Sequence, residues 1–175
     1  MTAAILGLQE IHDAETRVRR TYAGESLTEG GDEYEVTGPV TLDLRVRKDG
    51  NRYWLVGRIE ARLGLACCRC LEPVGCDVDV ALDLRYLPMS ENSGEGEVEI
   101  EEADLRTAFY RDDQIDLGAL IQEQFRLALP MKPLCRGDCR GLCATCGGNR
   151  NVTDCGCVDT WEDPRLASLK RLLER

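Results

Sequence analysis

Four close pairs of cysteines constrain this chain more than any other feature of it. They are Cys67/Cys70, Cys135/Cys139, Cys143/Cys146 and Cys155/Cys157, taking eight of the ten cysteines and leaving Cys68 and Cys76 over. Two thiols separated by one to three residues on a tight turn deliver two soft ligands at little cost in chain entropy. Four such pairs suffice for about two structural zinc ions, each held by four thiolates; the most local grouping is Cys143, Cys146, Cys155 and Cys157 in one site, which leaves Cys67, Cys70, Cys135 and Cys139 for the other.

Disulfides are the competing reading. The N-terminal MTAAILGLQEIHDAETR has no basic n-region, no apolar run long enough for a signal sequence, and acidic residues too early for one. The expected location is therefore the cytoplasm, a reducing compartment where thiols stay free and zinc is the usual fate of clustered cysteines. Redox chemistry and iron are further alternatives. Cys143-Ala144-Thr145-Cys146-Gly147 would serve as one rubredoxin-type knuckle, whereas the Cys155/Cys157 spacing fits the second knuckle poorly.

The 175 residues are enough to bury an adequate core. The expected division is a sheet domain with a packing helix over 1–130 and a Cys-rich lobe with a C-terminal helix over 131–175, or one continuous domain. No stretch approaches the roughly 20 apolar residues needed to span a bilayer, so no membrane contact is expected. The formal charge of -10 does not advertise a phosphate-binding surface. Each four-thiolate zinc site would add about two more negative charges.

Alternation of apolar and polar residues predicts a three-stranded antiparallel meander. Leu42, Leu44 and Val46 share one face of a first strand over Thr41–Lys48, and Tyr53, Leu55, Ile59, Leu63 and Leu65 share one face of a second. Asp49-Gly50 is a two-residue hairpin signal, which sets even positions against odd ones and makes the two apolar faces agree. A third strand, Val74–Tyr86, turns Val74, Cys76, Val78, Val80, Leu82, Leu84 and Tyr86 inward, so Cys76 reads as a small hydrophobe. The Ser90–Asp104 stretch holds seven carboxylates and no basic residue; it reads as a solvated loop with a short edge strand, or else an acidic docking tail.

Asp116 is placed to cap a helix over Leu117–Leu129, with Leu117, Leu120, Ile121, Phe125 and Leu129 at helical spacing and Pro130 closing it. From Met131 to Asp159 there are six cysteines and little apolar periodicity, so a metal is the expected organiser. Asp163-Pro164 then opens a basic C-terminal helix carrying Leu166, Leu169, Leu172 and Leu173.

The run Cys67-Cys68-Arg69-Cys70-Leu71-Glu72-Pro73 on a strand loop, followed by LPMKPLCRGDCRGLCATCGGNRN, CGC and DPRLASLKRLL, resembles the bacterial YceD family, over roughly residues 15–173. The resemblance implies a part in accumulation of large-subunit (23S) ribosomal RNA. Arg150 departs from the leucine usual in the family's G-x-N-L-N run. Because some members lack much of the second cysteine cluster, the resemblance implies that the metal aids folding and performs no shared reaction.

An enzyme is not expected. The single histidine, His12, lies away from every motif, and eight paired thiolates would close both zinc sites, leaving no open position for a substrate. No small-molecule substrate is implied. Two basic surfaces are candidates for RNA. One is the outer face of the first two strands, with Arg45, Arg47, Arg52, Arg58 and Arg62 beside an exposed Trp54. The competing view pairs those arginines with Asp77, Asp79 and Asp83 of the adjoining strand. The other surface combines Arg136, Arg140, Arg150, Arg165, Lys170 and Arg171 near the cysteine lobe, where zinc would fix its shape.

The expected fold is α+β: a twisted antiparallel sheet or partial barrel, a packing helix, a cysteine-ligated zinc lobe and a C-terminal helix. The expected partners are large-subunit ribosomal RNA or precursor particles, with a ribosomal protein or assembly factor as the alternative.

Overall fold

The computed structural model describes residues 4–27, 33–92 and 104–157. In chain order these form β1 (Ile5–Gly7), β2 (Glu15–Tyr22), β3 (Glu35–Val36), β4 (Val40–Asp49), β5 (Arg52–Ala66), β6 (Pro73–Pro88), β7 (Thr107–Tyr110), β8 (Gln114–Asp116) and α1 (Leu117–Ala128).

The frame is the meander that the alternation predicts. Leu42 faces Ile59 and Val46 faces Leu55 across β4 and β5, and all four are fully buried. The loop sits one residue later than the Asp49-Gly50 signal. Asp49 pairs with Arg52, so Gly50 and Asn51 make the turn, with Gly50 in the left-handed region at φ 61°. Moving the loop by one residue moves the register by two, so the inward faces are unchanged. On β6, Val78, Leu82 and Tyr86 are buried, while Val74, Cys76, Val80 and Leu84 are half-buried.

Three strands extend this frame. β2 pairs antiparallel with β4. β3 pairs with β5 on the edge that β4 has left. The expected antiparallel sheet is there, with one addition at its edge: β7 pairs with β6 in parallel. The edge strand is therefore Thr107–Tyr110, beyond the Ser90–Asp104 stretch, and residues 89–106 supply the crossover that a parallel pair requires. Residues 93–103, most of the acidic stretch, lie outside the described residues. The sheet runs β2-β4-β5-β6-β7 and stays open, so the fold is α+β without a closed barrel.

Helix α1 covers the inner face. Asp116 caps it, its carboxylate accepting from the Ala119 N–H at 2.9 Å. Leu117, Leu120, Ile121 and Phe125 are buried, and Phe125 meets Tyr34 edge to face at 5.9 Å. β8, which runs straight into the helix, pairs with β1 in a separate two-stranded sheet. The predicted C-terminal helix lies outside the described residues.

Candidate metal centre

The loop from β5 to β6 and the segment after α1 bring the eight paired cysteines into two clusters. Cys67, Cys70, Cys135 and Cys139 form the first and Cys143, Cys146, Cys155 and Cys157 the second, with all sulfurs of a cluster within 4.8 Å of one another. Cys68 is exposed, Cys76 is half-buried beside the main core, and neither belongs to a cluster.

Cys67–Cys70 and Cys143–Cys146 share one local geometry. The N–H after the second cysteine returns to the first cysteine's carbonyl, from Leu71 to Cys67 and from Gly147 to Cys143, each at 2.9 Å. The first cysteine's N–H then bonds the carbonyl five residues on, from Cys67 to Glu72 and from Cys143 to Gly148, each at 2.8 Å. This turn needs a left-handed residue after the second cysteine, and Gly147 at φ 71° supplies it without strain. Leu71 supplies it at φ 63°, a conformation costly for a side chain with a Cβ. Each cluster combines one such knuckle with one looser pair. The two knuckles that a rubredoxin-type iron site would bring together therefore sit in different clusters.

The spacing fits tetrahedral ligation. A zinc–sulfur bond of about 2.3 Å implies sulfurs about 3.8 Å apart along a tetrahedral edge. Cys67 and Cys139 are 3.9 Å apart and Cys70 and Cys135 3.6 Å. Disulfides need about 2.05 Å, and all these cysteines are free. The first cluster is the drier: Cys67, Cys70 and Cys139 are buried there, whereas only Cys143 is buried in the second.

Asn149 and Asn151 lace the clusters together. The Asn151 amide donates to Cys139 Sγ at 3.2 Å and to Asn149 Oδ1 at 2.9 Å, while its own oxygen accepts from the Arg140 N–H at 2.7 Å and from Arg136 Nη2 at 2.8 Å. Asn149 donates to Glu72 at 3.3 Å, beside the first knuckle. It directly follows Gly148, which closes the second knuckle. Further bonds from Cys68 N–H to Pro133, from Leu142 N–H to Arg69 and from Arg69 Nη1 to the Cys139 carbonyl, at 2.8, 3.0 and 2.9 Å, hold the lobe against the sheet loop.

The thiols divide in acidity. Backbone hydrogen bonds from Cys135 and Arg69 bring Cys67 down to about 6, and those from Cys146 and Thr145 bring Cys143 down to about 6. Burial and neighbouring thiols push Cys135 up to about 12, and the thiols of Cys155 and Cys146 push Cys157 up to about 12. In the first cluster Cys139 is lowered too, by hydrogen bonds that include the Asn151 amide, while Cys70 is raised. Each cluster thus favours some thiolates and resists a full set, a cost that a bound dication removes by taking the place of the protons.

The RNA candidates separate into two groups. Arg136, Arg140 and Arg150 are exposed on the lobe, with Arg136 3.4 Å from Asp138. Arg165, Lys170 and Arg171 lie outside the described residues. Arg45, Arg47, Arg58 and Trp54 share the outer sheet face. Trp54 is half-buried rather than exposed, because the Arg47 guanidinium stacks 5.3 Å from its ring centre. The cross-strand pairing is partial. Arg58 meets Asp79 at 3.1 Å and Arg62 meets Asp77 at 3.7 Å, whereas Asp83 takes Arg106 at 3.0 Å. Sequence reasoning missed Arg17 and Arg19 on the same face. The period-two pattern over Glu15–Tyr22 was present, but Val18 and Tyr22 are its only apolar inward residues.

A family model described as "Large ribosomal RNA subunit accumulation protein YceD" matches residues 55–173. An uncharacterized protein of Mycobacterium tuberculosis is 36% identical over 133 residues, covering 75% of this chain and 61% of that protein. The Zea mays chloroplast protein named large ribosomal RNA subunit accumulation protein YCED homolog 1 is 27% identical over 178 residues, covering 87% of this chain and 60% of its own length. The chain thus spans about 60% of the curated relatives it matches. No solved structure matches it. The matched span takes in most of β5, all of β6 and both cysteine clusters, and on that match the chain belongs to the YceD family.

Proposed function

We propose that this chain is a non-enzymatic factor in the synthesis, processing or stability of large-subunit (23S) ribosomal RNA, shaped by two structural zinc ions and working in the bacterial cytoplasm. The observation that carries this reading is the pair of four-cysteine clusters lying inside the family match. Four thiolates satisfy a tetrahedral zinc and leave no coordination position for chemistry, so the metals act as staples. The first zinc would join Cys67 and Cys70, on the sheet domain (1–130), to Cys135 and Cys139 of the lobe (131–175). His12, the one histidine, is exposed and outside both clusters.

The test is ultraviolet crosslinking of the tagged, zinc-loaded chain followed by sequencing, alongside depletion of the protein in its own host. The reading expects crosslinks in large-subunit RNA and a fall in mature 23S RNA. A second reading, a zinc-stabilised adaptor for a ribosomal protein or assembly factor, draws support from Leu127 and Met131, which stand exposed where the helix meets the lobe. Depletion that lowers 23S RNA without any RNA crosslink would favour that adaptor. Unchanged 23S RNA would refute both.

A further inference from the structure

On the outer face of the sheet, Arg17 of β2 lies directly opposite Arg45 of β4, and Arg19 lies opposite Asp43. Like charges opposite each other across antiparallel strands are destabilising. Asp43 relieves the strain on one side only. It holds Arg17 in a two-pronged contact at 2.7 and 2.9 Å and takes Arg19 at 2.8 and 3.2 Å. Both guanidiniums use their Nε–Nη2 edge for this. Arg45 has no ion pair among the described residues.

These side chains line a groove of about 640 Å³ whose cations are Arg17, Arg19, Arg45 and Arg58 and whose carboxylates are Asp43 and Glu60. Arg58 takes up Glu60 at 3.9 Å, as well as Asp79 outside the groove. Val56, 38% exposed, offers apolar surface in the groove and continues into an adjoining hollow with Arg47 and Trp54. The carboxylates of that hollow are Glu15 and Asp83, and Asp83 is paired with Arg106.

The lobe is electrostatically poorer. Its described residues 131–157 hold four cations (Lys132, Arg136, Arg140, Arg150) and two carboxylates (Asp138, Asp154). Two loaded four-thiolate centres, at about -2 each, make that end net negative.

We propose that Arg17, Arg19 and Arg45 form a subsite for a phosphodiester group of a single RNA strand, with Val56 and the Arg47–Trp54 pair receiving an adjacent base. The proposal deepens the ribosomal-RNA reading and rests on it. An anion between the two facing arginines turns their repulsion into charge-assisted hydrogen bonding. Apolar surface beside a phosphate site suits a strand whose bases are splayed out, since a duplex keeps its bases stacked.

The test measures anisotropy of a labelled ten-nucleotide oligouridylate, and of an RNA hairpin of similar length, with the full zinc-loaded chain. Arg45→Gln leaves the Arg17–Asp43–Arg19 cluster intact. It should weaken single-strand binding about tenfold and lower the slope of log affinity against log salt by about 0.7, one phosphate contact on a single strand. Because Arg45→Gln relieves a repulsion, its melting temperature should not fall, which separates a binding role from a structural one. Arg136→Gln/Arg140→Gln on the lobe should bind within about threefold of wild type. Loss of binding only in the lobe variant, tighter binding to the hairpin, or no binding by wild type would each overturn the subsite. The first two outcomes leave the ribosomal-RNA reading standing and the third shifts weight to the adaptor, whereas the ribosomal-RNA reading itself fails only if depletion leaves 23S RNA unchanged.

Discussion

Asn151 is the most informative single position for testing the metal centres, because its amide touches a ligand sulfur in one cluster and none in the other. Asn151→Ala removes the N–H to Cys139 Sγ and the acceptor for Arg140 N–H and Arg136. Loss of a hydrogen bond to a ligating group typically weakens metal binding 10–100-fold, about 1.4–2.7 kcal/mol. Asn151→Asp keeps the acceptor but sets a carboxylate 3.2 Å from that sulfur. With about half a negative charge per sulfur in a loaded four-thiolate site, and an effective dielectric near 20, the repulsion is on the order of 2–3 kcal/mol. The expected order of zinc affinity at the first centre is therefore wild type, then Ala, then Asp lower by a further tenfold or more. Chelator competition reads the two zinc ions, and cobalt substitution follows each centre through its thiolate-to-metal absorption. Only one of the two ions should be affected. The reasoning is wrong if Asn151→Ala holds both ions at wild-type strength, or if Asn151→Asp binds as tightly as Asn151→Ala.

Protein purified without added metal should contain two zinc ions per chain by elemental analysis; Cys146→Ser should lose one and unfold the 143–157 segment, while Cys68→Ser keeps both. Gly57→Ala should cost about 1–3 kcal/mol or more in chemical denaturation, because a Cβ there runs into the Asp43 carbonyl oxygen across the β4–β5 pair; a loss under about 1 kcal/mol would show that the strands can part. Hydrogen bonds from Arg17 and Arg19 hold the Asp43 carboxyl well below the usual carboxylate range. A depressed folded value makes its contribution to stability complete above about pH 4 and lost as pH falls through the folded value. The stability gap between wild type and Asp43→Asn should accordingly be constant from pH 5 to 7 and close below pH 4; a gap that widens on acidification would reverse the sign.

Much of the fold could be read directly. Period-two alternation in Thr41–Lys48 and in the following strand fixed which side chains are buried, since one face of a two-sided strand must be apolar. The hairpin's parity survived a loop displaced by one residue for the same reason. Asp116 and Pro130 bracketed the helix because a cap and a ring act within a few residues. The cysteine clusters were legible as pairs, because ligand spacing on a tight turn is local chemistry.

What the sequence by itself determined, then, were the strands of the meander, the inward residues, the helix and the four cysteine pairs, all set by interactions within a few residues of chain. Tertiary structure decided the rest. The parallel placement of β7 follows from where an 18-residue crossover returns, which no local pattern encodes. So does the docking of β2 on β4, which sets Arg17 opposite Arg45 from 28 residues away. The grouping of Cys67 and Cys70 with Cys135 and Cys139 is the one that chain locality leaves over; what tertiary structure supplied is the set of hydrogen bonds through Arg69, Asn149 and Asn151 that fold the lobe onto the sheet loop. These arrangements depend on long loops closing over distances that propensity and spacing do not reach.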